Sequence, residues 1–238
     1  MTTTWRLVDD LDAELDAAGQ MAADRALLDE VAAGASPALR LYRWSPPALS
    51  LGRFQPEDDV DHTACRDRGV EIVRRPTGGR ALLHGADLTY AVAMPRPERA
   101  ASVDAVYRLL ARGLTRGLAC LGVEAAVARA DGPAGPLCFA SQQGADLRVG
   151  EQKVCGSAQV RRDDAVLQHG ALLLDRLPFD ETDLLRGAAD DDGRARLRVA
   201  TVTLRELGAP VDARVVANAL ADGFAEALDL RFTAAVRG

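Results

Sequence analysis

A single lysine marks the segment of this sequence best suited to chemistry. The chain has 29 lysine and arginine residues, and all but Lys153 are arginine. An ammonium group is a compact point charge that the planar guanidinium of arginine does not imitate. In the segment KVCGSAQ, the side chains of Lys153, Cys155 and Ser157 share one face if the segment is a strand. We therefore predict a functional strand rather than an ordinary edge strand that exposes one lysine.

Small side chains follow this lysine and would leave space for a ligand. Gly156, Ser157 and Ala158 would let a slim acyl chain or a neighbouring strand lie close to the backbone. A second extended segment, LQHGALLL, places His169 beside a glycine. A histidine in this setting is structural by default, so the residues alone do not make His169 a catalytic base.

A glycine pair lies at the centre of a second candidate site, in the segment RRPTGGRALLH. Paired glycines let the backbone approach a ligand and turn its N–H groups inward. The arginines on both sides supply forks that bind anions. A bare glycine pair would indicate only a hairpin turn with solvated arginines. The crowding of polar and basic groups favours a substrate-binding loop that includes Arg75, Thr77, Gly78, Gly79, Arg80 and His84.

Two cysteines are candidate nucleophiles. Cys138 follows a Pro/Gly loop and precedes the predicted hairpin that carries Lys153. A lone cysteine is more often a small buried side chain, but a nearby cation lowers the pKa of a thiol and makes the thiolate available. Cys155 shares the strand face of Lys153 and is the alternative nucleophile.

Composition excludes several classes of function. The chain has 238 residues, 48% of them hydrophobic, and its net charge of −6 argues against general nucleic-acid binding. No signal peptide is visible, and no apolar run approaches the ~18–20 residues that span a bilayer. The four cysteines show no metal-ligand spacing. We expect a cytoplasmic protein with reduced thiols, no metal and no membrane partner.

The order of the predicted elements favours an α+β fold. Helical spacing predicts helices at 21–31, from Ser102 to Gly122, and at about 213–228. Residues 190–193, DDDG, are expected to form an acidic loop. Because the strands come in runs joined by short turns, we predict one domain over 1–238 with a mixed, largely antiparallel sheet flanked by helices. Extended segments are predicted at 39–44, 48–54, 87–94, 145–149, 153–161 and 165–174, with a hairpin turn near Gly150 between the segments at 145–149 and 153–161. Residues 70–85 are predicted to form a strand, a tight glycine turn and a second strand.

These segments, in this order, resemble the lipoate/octanoate transfer family, which shares its catalytic fold with biotin protein ligases. The family pattern is RR-x-TGG followed by a histidine, then K-[IV]-x-G-S-A, then a His-Gly strand. Here they read RRPTGGRALLH, KVCGSAQ and LQHGALLL. The opening segments ADRALLDE, LRLYRW and LSLGRFQ match as well, so the resemblance covers nearly the whole chain.

Within this family the chain is most similar to the LipM-type octanoyltransferases. Their signature is a CF-x-x-x-S stretch before the lysine, and this chain reads CFASQQ from Cys138, with the serine one or two positions away from its expected place. Arg80 resembles the TGGR form of the transferases more than the TGGG form of the ligases. The chain also ends soon after its last predicted helix, so we expect no extra C-terminal domain. The resemblance implies a biotin/lipoate protein ligase type of catalytic domain.

The implied reaction moves octanoate from octanoyl-acyl carrier protein to Cys138 and then to the lysine of a lipoyl-type domain, such as the glycine-cleavage H protein. Lys153 would lower the pKa of Cys138 and bind the developing oxyanion. The glycine loop, the Gly156–Ala158 segment and His169 would bind the substrate. Because a thioester is already activated, no cofactor is expected. The arginines predicted to dock the acidic carrier are Arg74, Arg75, Arg161 and Arg162.

Two other functions stay open. An ATP-dependent lipoate–protein ligase would use Lys153 to contact an acyl-adenylate, and Cys138 would then be structural. A non-catalytic protein that binds lipoyl domains is the third hypothesis, although the intact RRPTGG and KVCGSA segments argue against a degenerate relative.

Overall fold

The computed structural model describes residues 3–96, 102–128, 146–162, 164–186 and 191–234. Its strands are β1 (Thr3–Asp10), β2 (Ala38–Tyr42), β3 (Ala48–Leu51), β4 (Glu71–Arg74), β5 (Leu82–His84), β6 (Asp87–Pro95), β7 (Ala126–Val127), β8 (Leu147–Val149), β9 (Gln152–Arg162), β10 (Ala165–Leu173) and β11 (Leu230–Ala234). Its helices are α1 (Ala17–Ala32), α2 (His62–Asp67), α3 (Val103–Cys120), α4 (Asp191–Ala200) and α5 (Ala213–Leu228), with short 3₁₀ turns at Glu57–Asp59 and Glu181–Leu184.

Eight of these strands form one mixed sheet in the order β11-β1-β2-β6-β10-β9-β8-β7. β1 pairs in parallel with β2 and with β11, and the other neighbouring pairs are antiparallel. The remaining three strands form a small sheet in the order β4-β3-β5. The predicted α+β class with a mixed, largely antiparallel sheet is therefore confirmed.

Helices cover both faces of the large sheet. α1 packs on one face, where its apolar side chains meet the alanines of β6. α3 and α5 pack against each other on the opposite face, over the main hydrophobic core. A methyl group added to Gly223 of α5 would lie 2.2 Å from the backbone N of Gly117 in α3, so glycine permits the close approach of these two helices. Within the described ranges, none of the helices is long and apolar enough to cross a membrane.

Helix α1 shows how local sequence fixes an element. Asp16 caps its first turn by accepting a hydrogen bond from the backbone N–H of Gly19. Met21, Asp24, Leu28 and Val31 then follow at intervals of three and four residues, and all are buried. This spacing places them on one face, and that face carries a charged aspartate towards the sheet.

The structure confirms most predicted elements and corrects two. The helix predicted at 21–31 lies within α1, and the helix predicted at about 213–228 coincides with α5. The glycine segment is not a hairpin, because β4 and β5 both pair with β3, which lies between them. The prediction of an acidic loop at 190–193 is wrong for residues 191–193, because α4 begins at Asp191. Residue 190 lies outside the described residues. β1 and β11 had not been predicted as strands.

Candidate active site

Six of the twelve predicted site residues line one cleft, called here the first cleft. It contains about 420 Å³ of empty space between the glycine loop and strands β9 and β10. Met21 and Trp44 contribute to its apolar wall. The predicted residues that line it are Arg75, His84, Gly156, Ser157, Ala158 and His169.

Arg75 holds the glycine loop in shape from inside. Its guanidinium donates to the carbonyl oxygen of Gly78 at 2.8 and 3.1 Å and to that of Arg80 at 2.7 Å. Its remaining nitrogen, Nη1, donates to the carbonyl oxygen of Ser50 at 2.8 Å. The side chain is only 5% exposed. The fork that was expected to bind an anion or an acidic partner therefore binds backbone carbonyls of its own chain.

The glycine loop also rests on the segment that follows β3. Gly79 has a φ of +93°, a left-handed conformation that glycine adopts without strain. A methyl group on Gly52 would lie 1.9 Å from the carbonyl oxygen of Gly79. The backbone N–H of Arg53 donates to the carbonyl of Thr77 at 2.8 Å. The two turns therefore fix each other, and their contact requires glycine at position 52.

His169 connects α1 to the glycine loop. Its Nδ1 lies 2.8 Å from Asp24 Oδ2, and its Nε2 lies 2.7 Å from Thr77 Oγ1. Burial opposes ionisation of Asp24, but the hydrogen bond and charge of His169, together with Arg40, hold the pKa of this carboxyl below its ordinary value. An ionised carboxylate only accepts hydrogen bonds, so Nδ1 carries a proton, and in the neutral ring Nε2 accepts from the Thr77 hydroxyl.

A second aspartate–histidine pair lies on the other side of the first cleft. His84 Nδ1 lies 3.0 Å from Asp87 Oδ2, and His84 Nε2 lies 2.9 Å from Ser50 Oγ. The ring stacks on Trp44 with centroids 4.2 Å apart. Burial would raise the pKa of Asp87, but the charge and hydrogen bond of His84 outweigh it and leave that pKa lowered. Both predicted histidines are thus held in fixed orientations by buried aspartates.

Ser157 ends a chain of polar side chains beneath the first cleft. Its hydroxyl lies 2.7 Å from the hydroxyl of Tyr90, which also accepts from Gln168 Nε2 at 2.7 Å. A methyl group on Gly170 would lie 2.3 Å from the carbonyl of Gly156. The small residues predicted to make room for a ligand therefore also make room for the crowded contact between β9 and β10.

Lys153 forms a buried ion pair at the start of β9. Its Nζ lies 2.9 Å from Asp146 Oδ2, and the two side chains are 5% and 3% exposed. Charges withdrawn from water in this way persist only as a pair. The carbonyl of Lys153 accepts from the backbone N–H of Val202 at 3.0 Å, which places the lysine beside the segment that follows α4.

Of the two candidate nucleophiles, the structure describes Cys155 and does not describe Cys138. Cys138 lies outside the described residues, so its distance from Lys153 stays a prediction. Cys155 is buried, and burial, with the negative charge of Asp146, raises the pKa of its thiol to about 12 despite the opposing charge of Lys153. The thiolate is the nucleophilic form of cysteine, and it is scarce at neutral pH when the pKa is this high.

The four arginines predicted to dock an acidic carrier differ in exposure and in their hydrogen-bond partners. Arg74 donates to the backbone carbonyls of Gly52 and Gln55 at 2.8 and 2.7 Å, and Arg75 is buried. Arg161 is half-buried. Arg162 is exposed and pairs with Asp29 at 2.6 Å. The structure therefore removes Arg75 from the set of surface docking residues.

A second cleft, with about 750 Å³ of empty space, adjoins the first at Leu82, which lines both. Glu181 lines this second cleft and is 7% exposed. Burial, with the charge of Asp180, raises the pKa of Glu181 to about 7, although the charges of Lys153 and Arg176 act in the opposite direction. Among the described residues, no three histidine, cysteine, aspartate or glutamate side chains come together as a metal site would require.

Sequence reasoning missed the buried acids that surround the clefts: Asp24, Asp87, Asp146 and Glu181. A signal for Asp24 was present, because a charged residue on the apolar face of a predicted helix needs a buried partner. Asp146 and Glu181 lie in short irregular or 3₁₀ segments without periodicity, and their partners are distant in sequence. No local pattern could have identified them.

Residues 16–225 match the family model described as the lipoyl protein ligase A/B catalytic domain. Two relatives named octanoyltransferase LipM are each 42% identical to this chain. The protein from Kyrpidia tusciae aligns with 96% of this chain and 88% of its own length. The protein from Symbiobacterium thermophilum aligns with 98% of this chain and 89% of its own length.

Solved structures show the same fold. A lipoate-protein ligase A bound with ATP superposes with a TM-score of 0.82 at 24% identity, covering 100% of this chain and 90% of the other. A bipartite lipoate protein ligase from Thermoplasma acidophilum, studied with its E2 lipoyl domain, gives a TM-score of 0.76 at 23% identity, covering 100% and 88%. At these identities the similarity establishes the architecture alone.

Proposed function

The chain belongs to the lipoyl protein ligase A/B catalytic-domain family, and from that premise we propose that it is an octanoyltransferase of lipoate biosynthesis. The observation that carries the proposal is the 42% identity, over nearly the full length of both chains, with octanoyltransferases. We include in the proposal one catalytic domain over 1–238 and a cytoplasmic location. The described cysteines, which are Cys65, Cys120 and Cys155, carry free thiols, as a reducing compartment allows.

The reaction begins on a thioester donor, octanoyl-acyl carrier protein. The Cys138 thiolate attacks the thioester carbonyl, the carbon–sulfur bond to the carrier breaks, and the carrier leaves as a thiolate while the octanoyl group passes to Cys138. The amine of a lysine on a lipoyl-type domain, such as the glycine-cleavage H protein, then attacks the new thioester and forms an amide. Neither step consumes ATP, because the thioester supplies the activation.

The geometry supports this assignment of roles in two ways. The first cleft offers an apolar channel beside small residues, which suits a saturated acyl chain. Lys153, which is ion-paired with Asp146, is a fixed cation that would lower the pKa of a neighbouring thiol and bind an oxyanion. The raised pKa of the Cys155 thiol argues against Cys155 as the nucleophile and so favours Cys138.

Intact mass measurement tests the proposal directly. The protein is incubated with octanoyl-acyl carrier protein in the absence of ATP, and its mass is then determined. We expect one octanoyl adduct, which Cys138→Ser abolishes and Cys155→Ser retains. An adduct that survives Cys138→Ser would move the nucleophile elsewhere.

An ATP-dependent lipoate–protein ligase is the second candidate, favoured by the match to a family model that is described as a lipoyl protein ligase catalytic domain. It predicts no adduct from octanoyl-acyl carrier protein, and an acyl-adenylate when ATP and free lipoate are supplied. A non-catalytic binder of lipoyl domains predicts neither product. The same samples, with and without ATP, therefore separate all three functions.

A further inference from the structure

Ser50 carries a hydroxyl that the proposed transfer reaction does not use. It lies in β3, where successive side chains alternate between the two faces of the strand. Leu49 and Leu51 pack into a hydrophobic cluster on one face, so Ser50 faces the other way, where it lines the first cleft. In the antiparallel pairing of β3 with β5, His84 lies opposite Ala48. His84 therefore shares the face of Ser50, one diagonal position away.

Ser50, His84 and Asp87 form a chain of hydrogen-bonded side chains. Ser50 Oγ lies 2.9 Å from His84 Nε2, and His84 Nδ1 lies 3.0 Å from Asp87 Oδ2. The Asp87 carboxylate also accepts from the backbone N–H of Gly85 at 2.9 Å and from the hydroxyl of Thr89 at 2.7 Å. These donors favour the ionised carboxylate, which keeps the proton of the neutral ring on Nδ1. His84 Nε2 then accepts from the Ser50 hydroxyl, which is the arrangement that a general base requires.

Neighbouring side chains fix this chain and place a cation beside it. Trp44 stacks on the His84 ring with centroids 4.2 Å apart, and its indole N–H donates to Thr89 Oγ1 at 2.8 Å. Arg75 Nη1 lies 3.2 Å from Ser50 Oγ. A charged donor at that place stabilises negative charge that develops during attack on a carbonyl, and burial strengthens the effect.

The position of the hydroxyl distinguishes this chain from the one that runs through His169. Asp24 and His169 orient a hydroxyl in the same way, but it belongs to Thr77, which is not among the described residues that line the first cleft. Ser50 lines that cleft together with Met21 and other apolar side chains. An apolar wall with one activated hydroxyl suits a fatty acyl group whose carbonyl is attacked.

We propose that Ser50 and His84, positioned by Asp87, form a second catalytic site that hydrolyses medium-chain acyl thioesters, independently of transfer through Cys138. The Ser50 hydroxyl passes its proton to His84 Nε2, and its oxygen attacks the thioester carbonyl. The carbon–sulfur bond breaks, and the departing thiolate takes the proton from His84. Water then attacks the acyl-serine ester and gives a proton to His84, which returns it to Ser50. The products are a free thiol, a fatty acid and the original serine.

Release of free octanoate tests the inference in protein that carries Cys138→Ser, which removes the transfer nucleophile. The substrate is octanoyl-N-acetylcysteamine, a thioester that requires no carrier protein, and neither ATP nor an acceptor is present. We expect catalytic release of octanoate, because the serine ester is hydrolysed as fast as it forms. Addition of Ser50→Ala should lower kcat by at least about 100-fold.

Asp87→Asn tests the positioning residue in the same background. The asparagine amide can donate to His84 Nδ1, which leaves the ring proton on Nε2, where it blocks acceptance from Ser50. We expect kcat to fall by at least about 100-fold with little change in KM. A rise in KM with kcat unchanged would indicate a role in binding alone and would overturn the assignment of Asp87.

A fluorophosphonate with an octyl chain identifies the reacting atom. It phosphonylates an activated serine with loss of fluoride, so intact mass should show one adduct, and peptide mapping should locate it on Ser50. Ser36→Ala is the matched control, because Ser36 is an exposed serine between α1 and β2. This control should leave both labelling and release unchanged.

Undiminished release by a folded Ser50→Ala protein overturns the inference. The labelling decides the matter even if Ser50→Ala does not fold, because it needs only a protein that retains Ser50. No label, or a label on any other residue, overturns the inference as well. The adduct test of the proposed transferase uses Cys138 and a different donor, so failure of hydrolysis and failure of transfer are distinguishable.

Discussion

Thr77 and His169 show how one hydroxyl links the glycine loop to the body of the protein. The Thr77 hydroxyl donates to His169 Nε2, whose ring is oriented by ionised Asp24. Thr77→Val keeps the shape and removes the donor, so a buried ring nitrogen loses its partner at a cost of about 1–3 kcal/mol. We expect a lower free energy of unfolding and a higher KM for the donor, measured by denaturant titration and by initial rates. Thr77→Ser retains the hydroxyl and should stay close to the wild type in both measurements.

The variant Lys153→Arg tests whether a positive charge at this position is sufficient for acylation of the enzyme. Lys153→Arg keeps the positive charge but replaces a compact ammonium with a planar fork in a buried position. We expect formation of the octanoyl-enzyme to slow by about 100-fold or more, because the cation no longer meets the thiolate and the oxyanion. The rate of adduct formation, followed by mass, measures this effect. Near-normal acylation would remove Lys153 from the mechanism.

The buried ion pair between Lys153 and Asp146 leads to a separate prediction about the free energy of unfolding. Lys153→Met removes the cation that pairs with Asp146 inside the protein, and breaking a buried pair from one side typically costs about 3–5 kcal/mol. The double variant Lys153→Met with Asp146→Leu removes both charges and should recover most of that loss. Denaturant titrations of the two single variants and the double variant give the coupling energy. Additive losses would show that the ion pair contributes nothing to the fold.

Among the elements, the two turns that meet at Gly52 and Gly79 position the glycine loop most directly. Gly52→Ala would place a methyl group 1.9 Å from a backbone carbonyl, so the turns must separate. Forced overpacking of this kind costs about 1–3 kcal/mol, and octanoyl transfer should fall with it. Gly78→Ala is the control for unfolding, because its methyl group would meet nothing within 4 Å. A Gly52→Ala protein with wild-type stability and transfer would contradict the assigned contact.

The spacing of apolar residues predicted the helices that bury one face against the sheet. It did not predict strands that are held by pairing with a segment far away in the sequence. Helices α1 and α5 could be predicted because their buried residues recur at helical spacing. β1 could not, since it is held by parallel pairing with β11, which lies at the other end of the described chain. The same holds for the site. The glycine loop and the lysine strand carry local motifs, whereas the contact between His169 and Asp24 spans 145 residues.

At the scale of the whole molecule, the burial of Glu181 makes folding stability depend on pH. Its pKa is about 7 in the folded protein against an ordinary value of 4.5. The folded state therefore binds this proton more tightly than the unfolded state, and stability falls as the pH rises from 4.5 through 7. The full penalty, about 3 kcal/mol, is present above pH 7.

Glu181→Gln removes the penalty because the neutral amide has the shape of the protonated acid. We expect its free energy of unfolding to match that of the wild type near pH 4 and to exceed it at pH 8 by up to about 3 kcal/mol. Urea titrations at the two pH values measure the difference. A variant that is destabilised at pH 8 would mean that the ionised carboxylate stabilises the fold.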